Sequence, residues 1–203
     1  LVYALLNLYP ELEEIPRAGI VHRLDKDTSG ILAVARSLEA QTSLVRQLKD
    51  RSMSRQYCAL VYGHPCKEGT IDAPMDRHRL QRTKMTVVFS GKPAVTQYRL
   101  TETTAHFAWL DVKLETGRTH QIRVHMTHIG HPLVGDPVYR QGRLGLGRAT
   151  REVRALIDGF PRQALHARKL GLIHPIRGEP VEFEVPIASD LNDLLIALRS
   201  VDV

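Results

Sequence analysis

Between His22 and Asp27, five of six residues carry ionisable side chains: His22, Arg23, Asp25, Lys26 and Asp27. Such a density of charge is costly on any core-facing element, so the loop is either solvated or arranged around a charged substrate. Taken alone, it reads equally as a solvated turn in which Asp25 or Asp27 serves as a cap. The next residues make a small-residue turn, Thr28-Ser29-Gly30, and then a run of Ala, Ile, Leu and Val from Ile31 to Arg36 that predicts a buried strand. A polar loop held against a buried strand is a place to look for chemistry.

Other candidates lie further along. Tyr57 falls in Arg55 to Tyr62, whose alternation toward Tyr57, Ala59 and Val61 predicts a strand, and a core tyrosine is the default there. Thr119 is expected to cap a helix running to Ile129, with Ile122, Met126 and Ile129 on one stripe and Gly130 ending it. Arg123 sits in the middle of that helix, where an arginine flanked by Ile122 and Val124 ordinarily snorkels to water. Arg118, His120 and Gln121 gather at its positive N-terminal end, a place suited to phosphate and equally to solvent. His120, His125, His128 and His131 invite a metal. There is no His-Glu-x-x-His pair, and the helical angle sets His120 and His125 on different faces, so no metal site is expected.

The elements that would position these groups are mixed. Residues 1 to 9 read as the end of a helix with Leu1, Leu5, Leu8 and Leu12 near helical spacing, stopping before Pro10. Leu38 to Asp50 predicts an amphipathic helix with Leu44, Val45 and Leu48 on one face. Met85 to Phe89, Ala94 to Leu100 and Phe107 to Leu114 predict three strands, and Ala167 to Ile173 and Val181 to Val185 two more. A short helix from Glu152 to Ile157 lies in an Arg- and Gly-rich stretch over 140 to 161, read as a mobile or RNA-touching insertion. A closing helix spans about Asp190 to Ser200, with Ser189 as its cap. Strands clustered in the middle, with helices around them, argue for α+β rather than a βαβ repeat.

At 203 residues and 43% hydrophobic, the chain can form one sizeable domain, or two lobes sharing a cleft, without disulfides. Its two cysteines, Cys58 and Cys66, form no Cys-x-x-Cys pair, and no signal peptide or long apolar span accompanies them. A reducing, cytosolic setting is the simplest account. The net charge of +6 favours polyanions, while only 5% aromatic content argues against a base-stacking platform as the main binding mode. Contact through phosphates and RNA shape fits better.

The run His22-Arg23-Leu24-Asp25-Lys26-Asp27-Thr28-Ser29-Gly30 resembles the catalytic-aspartate motif of the pseudouridine synthases that modify large-subunit ribosomal RNA. Three further stretches match in order: Arg55 to Ala59, then Leu114 to His125 continuing through Gly130 to Asp136, and Arg162 to Ala167 with His174-Pro175. They cover nearly the whole chain, and the synthase D type is the nearest in kind. The resemblance implies an α+β fold, a mixed and mainly antiparallel sheet flanked by helices around a central active-site cleft. It makes residues 1–203 a catalytic domain from which an N-terminal strand and a small RNA-binding domain are missing, so the sequence is expected to be a fragment.

The implied activity is isomerisation of uridine to its C-linked form. That reaction needs no redox partner and no added atom, so one carboxylate can suffice without a cofactor. Asp25 matches the family's catalytic aspartate, which leaves Asp27 to cap the turn. Tyr57 matches the tyrosine that lines the base pocket, stacks on the base and serves as acid or base. Arg123 matches the arginine that pairs with the aspartate, keeping it ionised and aimed. Arg23 resembles the arginine that helps hold the extruded nucleotide out of its helix. With Arg23, the residues Arg118, His120 and Gln121 make up the expected RNA contacts. The expected partner is large-subunit rRNA or a pre-ribosomal particle, met in the cytoplasm by a monomer with no membrane association. One rival is a non-catalytic RNA-binding domain of the same fold, against which the joint presence of Asp25, Tyr57 and Arg123 argues. Another is a hydrolase using Ser29 or Asp25, for which no matched base and oxyanion motif is found.

Overall fold

The computed structural model describes residues 1–140, 146–147 and 149–202. A strand buried on both faces sets the architecture. In β2 (Ser54–Tyr62), Tyr57, Ala59 and Val61 enter one hydrophobic cluster and Cys58, Leu60 and Tyr62 enter another. Such a strand needs cover on each side. It pairs antiparallel with β7 (Phe107–Leu114) and with β8 (Leu165–Ile173). Beyond β7 the sheet continues, still antiparallel, through β6 (Val95–Thr103) to β3 (Glu68–Asp72). Two strands share the far edge of β8: β1 (Ser29–Gly30) runs parallel beside His166 and Ala167, and β9 (Pro180–Glu184) runs antiparallel beside Lys169 to Ile173. A separate ribbon joins β4 (Met75–Arg77) to β5 (Met85–Val87).

Helices cover both faces. α3 (Gln121–His128) lays Ile122 and Met126 on the face of Tyr57, Ala59 and Val61. On the opposite face, α4 (Arg151–Gly159) and α5 (Ser189–Val201) pack Val153, Ile157, Leu191 and Leu198 against Leu60 and Phe107. α2 (Leu38–Lys49) sets Leu44 against Leu170 of β8, and α1 (Val2–Leu8) leads into short 3₁₀ turns that bury Leu12 and Ile15. The result is the expected α+β arrangement, mainly antiparallel and flanked by helices.

Several local expectations are corrected. Ile31 to Arg36 is not a strand: the edge of β8 beyond Ala167 is occupied by β9, so the chain leaves the sheet after Gly30. Among the described residues it makes a single bridge from Val34 to Ile20; Ile31, Ala33 and Ala35 pack with α2, and Val34 with Leu12 and Ile15. Thr119 does not cap α3; the cap position belongs to His120, which adopts a left-handed backbone with φ 56° and offers no side-chain bond. Ser189 begins α5 rather than capping it, and no side chain caps that helix. Val45 of α2 is exposed, as are Leu1 and Leu8. The strands β3 and β4 were not expected from the pattern. In the stretch 140 to 161, residues 141–145 and 148 lie outside the described residues, while Leu146, Ala149 and α4 contribute to the core.

Candidate active site

A loop from Val21 to Thr28 leads into β1, and its position is fixed by close backbone approach. Gly30 has φ +114°, and a Cβ there would overlap the Ala167 carbonyl, so only glycine lets β1 lie against β8. From the other side, Gln163 donates from Nε2 to the Lys26 carbonyl at 2.6 Å and to Thr28 Oγ1 at 2.9 Å. Arg162 Nη1 donates to the Asp27 carbonyl at 3.2 Å while its Nε and Nη2 hold Asp190. Within the loop, the Thr28 amide donates to the Asp25 carbonyl at 3.0 Å. Asp27 itself is exposed, has φ 65° and makes no side-chain bond among the described residues; its backbone is gripped, and it does not cap the turn.

The loop forms one wall of a cleft of about 360 Å³. Arg23, Asp25, Tyr57, Arg118, His120 and Gln121 all line it, so residues from three separate segments converge. Arg123 lies beneath: its side chain is 4% exposed, and Nη1 is 3.5 Å from Asp25 Oδ2. That contact is long. The arginine's short bonds go to Asp136, from Nε to Oδ2 at 2.7 Å and from Nη2 to Oδ1 at 2.8 Å, a bidentate pair with no solvent access on the carboxylate. Asp136 also accepts the Val138 and Tyr139 amides. Burial would raise its carboxyl, but the Arg123 bonds and charge and those two amides outweigh it and hold it below the usual carboxylate range. The expected partnership of Arg123 with Asp25 is therefore one arm of a three-membered arrangement.

Tyr57 is buried, and its phenol is pushed up to about 12 by burial, against the lowering charge of Arg55 and with a further rise from Asp25. It stays protonated at neutral pH, so it is suited to donate a hydrogen bond and poorly suited to act as a base. His120 is hydrogen-bonded from Nδ1 to the Tyr139 hydroxyl at 2.8 Å, and the Tyr139 ring lies under the Arg123 guanidinium. Burial holds His120 below the ordinary imidazole value. Gln121 is a correction. Its Oε1 accepts from Thr116 Oγ1 and the Arg118 amide, and its Nε2 donates to Val95 O and Thr96 Oγ1, so the amide is spent holding the 115–120 loop and is not free for RNA. Arg118 is exposed at the mouth, with Nε on the Pro93 carbonyl. The remaining histidines diverge: His125 is buried between Thr96 and Ala73, His131 meets the Tyr62 carbonyl, and His128 is exposed.

The sequence profile of RNA pseudouridylate synthases matches residues 3–128, which carry the Asp25 loop, Tyr57 and Arg123. This chain belongs to that family. The ribosomal large subunit pseudouridine synthase D of Xanthomonas campestris is 54% identical over 200 residues, covering 98% of this chain and 60% of its own. The enzyme of the same name from Pseudomonas aeruginosa is also 54% identical, over 98% of this chain and 62% of its own. The chain thus spans about three fifths of the length of these relatives. Among solved structures, human RNA pseudouridylate synthase domain containing 1 superposes with a TM-score of 0.68 at 30% identity, over 89% of this chain and 80% of that one.

Four residues that line or support this cleft were not singled out from the sequence: Arg55 in its wall, and Asp136, Tyr139 and Gln163 behind it. Asp136 and Gln163 lie inside matched stretches, which was the available signal. Arg55 stands two residues before Tyr57 on the same strand, and an alternating strand puts both on one face.

Proposed function

We propose that this chain isomerises uridines of large-subunit rRNA to pseudouridine, with Asp25 as the carboxylate that assists or attacks the target nucleotide. The observation that carries the reading is one carboxylate at the wall of a cleft, 3.5 Å from a buried guanidinium and beside a protonated tyrosine, in a chain of this family. In the reaction the bond from C1′ to N1 breaks and one from C1′ to C5 forms. The C5 proton leaves to solvent and N1 ends with a proton, so atoms and electrons balance without a cofactor.

In this reading Arg123 keeps Asp25 ionised and aimed, and Tyr57 stacks on the base and donates from its hydroxyl. Arg23 at the cleft wall helps hold the extruded nucleotide, and Arg118 and His120 meet RNA at the mouth. Flipping is needed because a stacked base cannot reach a recessed carboxylate. The chain acts as a monomer on rRNA or a pre-ribosomal particle in the cytoplasm; no described helix is long and apolar enough to cross a membrane.

Asp25→Asn keeps the shape and loses the charge. Activity is expected to fall by roughly four or more orders of magnitude while RNA binding stays nearly intact. Tritium release from RNA labelled at uridine C5 reads this directly. Activity within tenfold of wild type would sink the assignment, and binding without release in the wild type would favour the non-catalytic RNA-binding alternative.

A further inference from the structure

Four buried side-chain atoms of the described residues find no hydrogen-bond partner, and two of them belong to residues lining the cleft: His22 Nδ1 and Arg55 Nε. Arg55 is the more informative. It is only 7% exposed, yet no described residue forms a hydrogen bond or ion pair with its guanidinium. The other arginines that this fold withdraws from water are paired: Arg123 holds Asp136 and Arg162 holds Asp190, both through two bonds. A buried cation without an acceptor is among the costlier features a fold can carry. Burial works against the Arg55 charge, and the one described group that would offset it, Tyr57, is uncharged at neutral pH.

The surroundings define what would complete it. His22 accepts the Ala33 amide at Nε2 and is held neutral, its pKa lowered to about 4 by burial and by the Arg55 charge, so it supplies neither an anion nor a competing cation. Gly117 covers the guanidinium, since a Cβ at 117 would overlap Arg55 Nη1. The group is therefore clamped between β2 and the loop that carries Arg118. Tyr57 is two residues along the strand, about 7 Å away. With a base lying on Tyr57, that spacing puts Arg55 within reach of the same nucleotide's sugar and phosphate.

We propose that Arg55 is a substrate-binding residue whose guanidinium receives one phosphate of the nucleotide held in the cleft. A planar fork with free N–H groups matches a phosphodiester in geometry, and one cation matches its single charge. Arg17, Arg23, Lys49 and Arg118 also line the cleft, but they are exposed and bear their charge in water without an acidic partner among the described residues. Among the described cations that line the cleft, Arg55 alone is buried without an acceptor. The proposal rests on the isomerase reading for the placement of the base and goes beyond it in naming the phosphate's receiver.

The test uses the full chain with Arg55→Met and Arg55→Lys. Each protein is titrated with an in vitro transcript of large-subunit rRNA, and with synthetic hairpins from it in which single phosphates are replaced by uncharged methylphosphonates. Arg55→Met is expected to weaken binding about 10- to 100-fold, the worth of one charge-assisted contact, and Arg55→Lys to retain part of it. The slope of log affinity on log salt should flatten by roughly 0.7 to 0.9. One methylphosphonate beside the target uridine should weaken wild type to the same degree and leave Arg55→Met unaffected. Because an unpaired buried cation is removed, the urea midpoint of Arg55→Met should hold or rise.

Unchanged affinity with a lower midpoint would make Arg55 structural and overturn the proposal. Equal methylphosphonate penalties in wild type and Arg55→Met would do the same. Pseudouridine is measured in the same reactions. Coupling between Arg55 and one phosphate without any product would overturn the isomerase reading and keep the contact; product without coupling would do the reverse.

Discussion

Arg123 faces two carboxylates and divides itself unequally between them. Its two short bonds to Asp136 fix the plane of the guanidinium, which leaves Nη1 as the edge presented to Asp25. Asp136 is thus a positioning residue, and removing it strands a buried cation. Asp136→Ala is expected to cost about 3 to 5 kcal/mol of stability, read as a lower urea midpoint. Replacing both partners, as Arg123→Met with Asp136→Leu, should recover part of that stability while activity stays lost. If the double variant were as unstable as the single, the pair would not be the source of the cost. Tyr57 separates in the same way into ring and hydroxyl. Tyr57→Phe should hold RNA affinity but lose about 100-fold in turnover, because the phenol, with its pKa near 12, is a donor that phenylalanine lacks. Near-normal turnover in Tyr57→Phe, with loss in Tyr57→Leu, would leave only the stacking face.

The loop from Val21 to Thr28 holds its shape because neighbouring elements grip its backbone. Gln163, 1% exposed, bonds the Lys26 carbonyl and Thr28, so it acts on Asp25 through the loop. Gln163→Ala should lower kcat about tenfold with KM little changed, since a misplacement of order 1 Å is enough to cost catalysis; a rise in KM alone would mean that the loop binds rather than aims. Such grips explain what was legible in the sequence. The strand β6 and the helices α2 and α5 were readable because burial repeats along them with a fixed period, whereas β2 and β7 are buried on both faces and were readable from their apolar, strand-favouring composition. Ile31 to Arg36 has the composition of a strand, but strand formation also needs a free edge, and β9, some 150 residues later, takes it. Asp25, Tyr57 and Arg123 were singled out through matched motifs, and the fold brings all three to one cleft. The pairing of Arg123 with Asp136 crosses a helix end and a turn, and no spacing rule connects the two. Gln121 was misread because its place at a helix start suggests solvent, whereas Val95, Thr96 and Thr116 fold over it.

The sheet buries histidines from several segments, and that gives the molecule a pH dependence of predictable sign. His22, His120, His125 and His166 are all lowered from the ordinary value of 6.5, in each case chiefly by burial. Below 6.5 the unfolded chain takes up protons at these positions and the folded chain does not. Stability is then fully present above about pH 6.5 and declines as pH falls toward the folded values, of which that of His22 is about 4. His22 alone supplies a slope approaching about 1.4 kcal/mol per pH unit across that range, and the other three act in the same direction. Carboxylates held low, such as Asp136 and Asp190, titrate below their reference of 3.8 in the fold and contribute their loss at lower pH. The window from pH 6.5 to 5 therefore isolates the histidines. Urea midpoints should fall steadily across it, and His22→Gln, which keeps an acceptor for the Ala33 amide but has no proton to gain, should flatten the decline by up to one proton's worth. A midpoint independent of pH in this window would mean that the buried imidazoles accept protons in the folded state. His22 would then be charged beside Arg55, and that pair of cations would need an anion near them.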